Sequence, residues 1–157
     1  MKNACCMFLL VFTFSQSASA SPIPILNGTW VLNQINEKAV NGDIRVSLTR
    51  KGNEFLVQRD RSPIKLKYIV DGTKRKLPQI GTLLVTYSTA KWEEESLITD
   101  KTSDAPPLPN GIKAPSMYTH EVWSISADGR SLTCMTTYGK TQNKIEFTAA
   151  YTKADTQ

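Results

Sequence analysis

The chain has 157 residues, of which 40% are hydrophobic and 21% charged, and its formal net charge is +5. This length predicts a single domain, and a mild positive charge without aromatic-rich basic stretches argues against nucleic-acid binding. The sequence contains one histidine, which excludes a histidine-based metal site and a multi-histidine proton relay. We therefore expect neither a metal nor a cofactor.

The first 20 residues have the three parts of a cleavable signal peptide. Lys2 supplies a positive start, Ala4–Phe14 is an apolar stretch, and residues 18–20 match the A-x-A cleavage pattern. The apolar stretch is too short to span a bilayer, which needs about 20 residues. We therefore expect a secreted or periplasmic protein without a transmembrane segment, beginning with an extended leader over residues 21–27.

Short strands separated by turns are predicted for the rest of the chain. Apolar and polar residues alternate with period two, which is typical of half-buried antiparallel strands, and no segment after the signal peptide predicts a helix. In chain order the predicted strands are Asn27–Leu32, Ile44–Thr49, Glu54–Arg59, Ile64–Val70, Gly81–Trp92, Glu95–Thr102, the two arms of Tyr118–Tyr138, and Lys144–Thr152.

The clearest of these elements is the hairpin Tyr118–Tyr138. Its two runs meet at Asp128-Gly129, and Asp-Gly between alternating hydrophobic residues is a strong hairpin signal. The one irregular stretch is Ser103–Ser116, which contains four prolines. Loops of this length are often functional, so it is either a lid over a cavity or a proline-stiffened connection.

About nine strands joined mostly by short turns predict an all-β fold of eight to ten antiparallel strands. Such a sheet must hide its edges, and short consecutive connections favour an up-and-down β-barrel over a sandwich with crossing connections. We assign the barrel domain to residues 28–153 and a disordered tail to residues 154–157.

Two stretches of the sequence resemble a known family of barrels. Gly28-Thr29-Trp30 is similar to the G-x-W signature of lipocalin and calycin barrels. The run from Ala90 to Trp92, followed by Glu121–Thr133, resembles small secreted bacterial proteins of lipocalin-like shape and mostly unassigned function. This resemblance implies that Trp30 plugs the closed end of a barrel, with Gly28 at the strand entry and Lys153 packed over the tryptophan.

Candidate catalytic groups are few in this sequence. Of the three cysteines, Cys5 and Cys6 lie in the predicted signal peptide, which leaves Cys134 alone and predicts no internal disulfide. Cys134 and His120 lie on neighbouring predicted strands and could form a thiolate–imidazolium pair. The alternative is that Cys134 is a small buried hydrophobic residue. The acidic run Glu93–Glu95 reads as an exposed turn, so we predict no catalytic residues and no enzyme.

Basic residues form a second candidate feature. Lys65 and Lys67 point away from the apolar residues of Ile64–Val70, and residues 74–76 add three further cations. These lysines are either a solvated strand face or a basic patch that meets a phosphate or an acidic partner.

Aromatic residues at inward positions favour a binding function. A small closed barrel can hold one small ligand, in a pocket that is mostly apolar. The candidate lining residues are Phe55, Tyr68, Tyr87, Trp123, Phe147 and Tyr151. We predict non-catalytic binding of a small, largely apolar ligand. If these side chains fill the barrel, the alternative is a cell-envelope or extracellular protein-interaction or inhibitor module without a ligand cavity.

Overall fold

The computed structural model describes residues 26–35, 45–78, 83–140 and 143–154. The predicted signal peptide, most of the predicted leader and the last three residues of the predicted tail lie outside the described residues. Within the described ranges no residue belongs to a helix, so no helix long and apolar enough to cross a membrane is found there.

Ten antiparallel strands make up the described part of the chain. They are β1 (Gly28–Ile35), β2 (Arg45–Lys51), β3 (Glu54–Arg59), β4 (Lys65–Ile69), β5 (Arg75–Lys76), β6 (Val85–Glu93), β7 (Ser96–Asp104), β8 (Met117–Ile125), β9 (Ser131–Lys140) and β10 (Asn143–Lys153). Nine of them correspond to predicted strands. The tenth is β5, whose two residues are too few to show an alternating pattern.

All ten strands belong to one sheet, in the order β4-β3-β2-β1-β10-β9-β8-β7-β6-β5. Strands that follow one another in sequence are neighbours, and the first strand pairs with the last, with Trp30 opposite Lys153 and Leu32 opposite Tyr151. The predicted all-β, up-and-down antiparallel architecture is confirmed.

The two ends of the sheet, β4 and β6 with the short β5, approach each other along a line that we call the seam. The Gly72 N–H donates to the Ala90 carbonyl across it, at 2.8 Å. The Leu77 N–H donates to the Thr86 carbonyl at 2.8 Å, which extends the pairing of β5 with β6. Among the described residues, a single backbone hydrogen bond therefore joins the two ends of the sheet in place of a regular ladder.

The β8–β9 hairpin shows how local chemistry sets the register. Gly129 has a φ of 70°, a conformation that glycine adopts without steric cost. The Asp128 carboxylate accepts hydrogen bonds from the Arg130 N–H at 3.0 Å and the Ser126 hydroxyl at 2.5 Å. This turn places Ile125 opposite Leu132, and therefore Trp123 opposite Cys134.

Side chains on the inner face of the curled sheet form one apolar core. Each large apolar side chain buried in this way contributes about 1.5–3 kcal/mol relative to exposure. The largest fully buried members are Leu26, Trp30, Val46, Leu48, Phe55, Val57, Leu97, Trp123 and Leu132. These residues occupy the middle and one end of the barrel.

Trp30, near the start of β1, is fully buried in this core. Its indole N–H donates to the Leu26 carbonyl at 3.1 Å, and the Lys153 Nζ lies 5.6 Å from the centre of its ring. Gly28 has a φ of 142°, and a Cβ added there would lie 3.2 Å from Lys153 Cε. The structure thus brings Gly28, Trp30 and Lys153 together, with the cation over the ring and Gly28 in close contact with the lysine side chain.

The proline-containing connection between β7 and β8 is an irregular loop with its own internal turn. The Leu108 N–H donates to the Ile112 carbonyl at 2.9 Å, and the Ser116 hydroxyl donates to Asp104 at 2.5 Å across the base of the loop. No residue of this loop lines the cavity at the seam. The placement favours the stiffened connection over the lid.

Candidate functional site

A cavity of about 230 Å³ opens at the seam between β4 and β6. Its inner wall is formed by residues that continue the barrel core, among them Tyr68, Leu77 and Ala90, each of which is buried. Ser88, also buried, adds one hydroxyl. The complete lining comprises Lys67, Tyr68, Ile69, Thr73, Arg75, Lys76, Leu77, Pro78, Ser88 and Ala90. The cavity is therefore apolar inside, with three cationic side chains in its lining.

Two of these cations have carboxylate partners at the surface. Lys67 forms an ion pair with Glu54 across β3 and β4. Arg75 binds both oxygens of Asp71, at 2.6 Å each, and this hydrogen bonding holds the pKa of the Asp71 carboxyl well below its usual range. The Asp71–Arg75 pair fastens the connection between β4 and β5, which carries Gly72 to its partner on β6.

A second polar feature crosses the barrel interior. Arg59, at the end of β3, reaches Glu121 on β8 with an Nη2–Oε1 distance of 2.6 Å. Lys101 Nζ lies 3.4 Å from the same oxygen, and the Thr99 hydroxyl donates to the other oxygen at 3.0 Å. We call Arg59, Thr99, Lys101 and Glu121 the polar layer. It separates the apolar core from the opposite end of the barrel.

Glu121 is ionised in spite of its burial. Its side chain is only 5% exposed, and burial alone would raise the pKa of a carboxyl group. The positive charges of Arg59 and Lys101, with the Thr99 hydrogen bond, outweigh burial and hold the pKa of Glu121 below its usual value. The Arg59 guanidinium also lies 5.2 Å from the centre of the Trp123 ring. A carboxylate held in this way is unsuited to proton transfer.

Next to the polar layer, Tyr68 and Cys134 are buried in their neutral forms. Burial, followed by the negative charge of Glu121, raises the pKa of both side chains, that of Cys134 to about 12. The Tyr68 hydroxyl and the Trp123 indole N–H have no hydrogen bond of normal geometry to the described residues. Cys134 is thus a small buried residue and not a reactive thiol.

His120 and Cys134 do not form the thiolate–imidazolium pair that their sequence positions allow. The register of β8 and β9 places Cys134 opposite Trp123 on the inner face, whereas His120 lies opposite Thr137 on the outer face. Two residues on opposite faces of a sheet cannot touch, because side chains alternate across the strand.

On the outer face, His120 instead joins Asp100 and Tyr118. The Asp100 Oδ1 accepts from the Tyr118 hydroxyl at 2.5 Å and lies 2.7 Å from His120 Nδ1. Partial burial opposes ionisation of Asp100, but its hydrogen bonds to Tyr118 and His120 prevail and lower its pKa. Burial, followed by the hydrogen bond to Asp100, raises the pKa of Tyr118 to about 12. The cluster lies on an open sheet surface, and no group of metal-binding side chains is found among the described residues.

The residues predicted to line a ligand site separate into two groups. Five lie on the inner face, namely Phe55, Tyr68, Trp123, Phe147 and Tyr151, and all of these except Phe147 are buried in the core. Of the five, only Tyr68 borders the cavity. Tyr87 does not join them: it lies opposite Lys76 and Thr102 on the outer face, where the Lys74 Nζ is 4.9 Å from its ring centre.

Sequence reasoning missed the polar layer and most of the cavity lining. Arg59 follows Phe55 and Val57 at inward spacing, and Glu121 precedes Trp123 at inward spacing, so the alternation carried the signal. A charged residue at such a position is normally read as the exposed end of a strand. Nothing in the sequence indicated that Leu77 and Ala90 border a cavity, because the seam is formed by residues distant in sequence.

The fold defines the class of this protein: a curled, up-and-down antiparallel sheet with a lipocalin-like calycin architecture. Among solved structures, it is similar to the zebrafish ileal bile acid-binding protein complexed with cholic acid, with a TM-score of 0.53. The two are 15% identical, and the match covers 82% of this chain and 98% of that chain. No protein-family model and no curated protein matches the sequence. At this identity the likeness shows the fold alone.

Proposed function

We propose that this protein is a non-catalytic binding protein for a small, largely apolar ligand, which it holds in the cavity at the seam. The observation that carries the proposal is the 230 Å³ cavity itself, bordered by the buried side chains of Tyr68, Leu77 and Ala90. Small-molecule sites are typically concave, mostly apolar and equipped with a few polar groups. The calycin fold of a bile acid-binding protein supports the same kind of function.

The size of the cavity limits the ligand. Pockets for drug-sized ligands commonly measure about 300–1,000 Å³, which is larger than this one. The barrel centre is occupied by Phe55, Trp123 and the polar layer, so the ligand does not sit on the barrel axis. We therefore propose a ligand with one ring or a short chain.

Binding without catalysis fits the chemistry of the described residues. Cys134 is buried as a thiol, and Glu121 is held as a carboxylate by two cations. Neither group is in the lining of the cavity. A ligand at the seam would thus meet hydroxyl, aliphatic and cationic groups but no activated nucleophile.

We also propose that the protein is secreted or periplasmic. The support is the N-terminal pattern of Lys2, the apolar stretch Ala4–Phe14 and the A-x-A site that ends at Ala20. The intact mass of the protein recovered from its host shows whether the first 20 residues have been removed. A mass lacking the first 20 residues supports export, and a mass that retains them contradicts it.

The binding proposal is tested by filling the cavity. In the variant Ala90→Leu, the new side chain occupies the space at the seam, and we expect apolar ligands from a panel to lose at least tenfold in affinity, or about 1.4 kcal/mol. Affinity is measured by tryptophan fluorescence, since Trp92 lies two residues along the inner face of the same strand. Native mass spectrometry reports any ligand that co-purifies.

Thr89→Leu is the matched control, because residue 89 lies on the outer face of β6 beside Ala90. It should bind as the wild type does. If Ala90→Leu does not fold, Ser88→Leu fills the same cavity from the next inward position. Equal affinity in all variants, or no ligand bound by the wild type, would contradict the proposal.

A further inference from the structure

The charges around the seam indicate which kind of small molecule the cavity prefers. This question presupposes the proposed function, the binding of a ligand at the seam. We infer that the cavity selects a small organic anion, with its apolar part against Tyr68, Leu77 and Ala90 and its anionic group among the cations Arg75 and Lys76 at the opening. The anionic group can be a carboxylate, a sulfate or a phosphate, since all three present oxygen acceptors to the same donors.

The first observation is the sign of the charges in the lining. Three of the ten lining residues are cationic and none is acidic. The three cations are Lys67, Arg75 and Lys76. Two carboxylates, Glu54 and Asp71, are the partners of cations in this group. The opening therefore has an excess of positive charge, which attracts anions and repels cations.

The second observation is that Lys76 is not engaged by a carboxylate. Lys67 is paired with Glu54, Arg75 with Asp71, and the Lys74 ammonium lies over the Tyr87 ring. Among the described residues no ion pair is formed by Lys76, whose side chain is exposed. The paired cations are also accessible, because exposed ion pairs contribute only about 0–1 kcal/mol and exchange partners readily.

The third observation is the arrangement of donors at the wall. Arg75 lies opposite Ser88 in the β5–β6 pairing, so both residues are on the cavity side of the sheet. Lys76 follows Arg75 directly, so its side chain starts from the outer face, opposite Tyr87, and borders the cavity from the solvent side. A guanidinium and a hydroxyl on the cavity side, with an ammonium at the solvent side, can bind an oxyanion through charge-assisted hydrogen bonds, which contribute about 1.5–3 kcal/mol each.

Charge distinguishes between ligands of equal size. Apolar burial contributes about 25 cal/mol per Å², and a charged and an uncharged ligand that fill the same 230 Å³ cavity gain it almost equally. One charge-assisted hydrogen bond adds a tenfold or greater gain in affinity. An uncharged molecule of the same size should therefore bind measurably more weakly than the anion.

A set of three six-carbon probes tests the inference by calorimetry or Trp92 fluorescence: hexanoate, hexanol and hexylammonium. Hexanoate should bind about tenfold more tightly than hexanol, and hexylammonium should bind most weakly. The affinity for hexanoate should fall as sodium chloride is added, because salt screens the exposed cations. Hexyl phosphate in place of hexanoate shows which oxyanion the opening prefers.

Two lysine variants test whether the cations at the opening cause the preference for hexanoate over hexanol. Lys76→Gln should lower the affinity for hexanoate about threefold and leave that for hexanol unchanged. Lys140→Gln removes an equal charge from the end of β9, on the other side of the barrel from the seam, and should change neither.

The outcomes separate this inference from the proposed function. If hexanoate and hexanol bind equally, or if Lys76→Gln and Lys140→Gln have the same effect, anion selection is wrong while ligand binding at the seam stands. If no probe binds and Ala90→Leu has no effect on any ligand, both are wrong.

Discussion

Among the non-glycine residues that the structure describes, Glu94 is the one with a left-handed backbone, at a φ of 52°. It lies in the tight turn between Glu93 and Ser96, which are the last pair of the β6–β7 ladder. For a residue with a Cβ this conformation costs roughly 1–2 kcal/mol. The turn is therefore a place where the chain stores strain at a single residue.

Replacing Glu94 with glycine should relieve this strain. We expect Glu94→Gly to raise the free energy of unfolding by about 0.5–1 kcal/mol, since the steric gain exceeds the entropy that glycine adds to the unfolded chain. Chemical denaturation at neutral pH measures the difference.

Two neighbouring variants serve as controls for this turn. Glu95→Gly changes a residue without a left-handed backbone and should destabilise the protein slightly, and Glu94→Gln removes the charge while keeping the Cβ. A loss of stability in Glu94→Gly, or a gain as large in Glu94→Gln, would show that the strain argument is wrong.

At the scale of the elements, the polar layer joins strands that are not neighbours in the sheet. Arg59 on β3 and Glu121 on β8 are separated by four other strands in the sheet order, and their contact spans the barrel interior. A buried ion pair is a weak source of net stability, but removing one partner leaves a charge without compensation. The contact therefore fixes how the two halves of the sheet face each other.

The pKa of Glu121 predicts how the layer responds to acid. Because the folded protein lowers this pKa, the unfolded chain binds the proton more readily. The free energy of unfolding therefore rises with pH between the pKa of Glu121 in the folded protein and its pKa in the unfolded chain. The contribution is complete above the ordinary value of about 4.5 and is lost as the pH falls through the lower folded value.

Glu121→Gln should lose about 3 kcal/mol of stability at neutral pH, because Arg59 and Lys101 lose the buried carboxylate that balances their half-buried charges. Its free energy of unfolding should also fall less than that of the wild type below about pH 4.5. Glu146→Gln, at an exposed position on β10, is the control and should retain the wild-type dependence. The argument fails if Glu121→Gln and the wild type lose stability in parallel on acidification.

Alternation of polar and apolar residues was sufficient to predict nine of the ten strands, because each has at least five residues in which one face is buried. It could not predict β5, which has two residues, nor that Arg59 and Glu121, which stand at inward spacing, pair with each other inside the barrel. An inward charge becomes stable only through a partner from a distant strand, and the sequence of one strand contains no information about that partner. For the same reason the sequence left open whether His120 and Cys134 meet, because their faces depend on the hairpin register.

For the whole molecule, short connections predicted that the sheet would curl until its first and last strands pair, and β1 does pair with β10. The position of the break in the wall was not predictable. It lies between β4 and β6 because the described part of the intervening segment forms only a two-residue strand, and a hydrogen bond from Gly72 to Ala90 joins the two ends of the sheet. The candidate site is therefore a consequence of the closure of the sheet and not of a sequence motif.

An exposed apolar pair at the other end of the barrel is the location to compare with the seam. Tyr138 and Ile145 are paired across β9 and β10, on the same faces as Thr136 and Phe147, and are 44% and 53% exposed. They lie at the end of the barrel opposite Trp30. A ligand that entered there would contact these two residues and would leave the seam unchanged.

The central claim is that the seam is the place where a small ligand binds, and a titration followed by NMR tests it most directly. With hexanoate added to the isotope-labelled protein, we predict that the largest chemical-shift changes occur at Tyr68, Leu77 and Ala90, with little change at Tyr138 and Ile145. Changes concentrated at Tyr138 and Ile145, or no saturable change at the seam, would contradict the account.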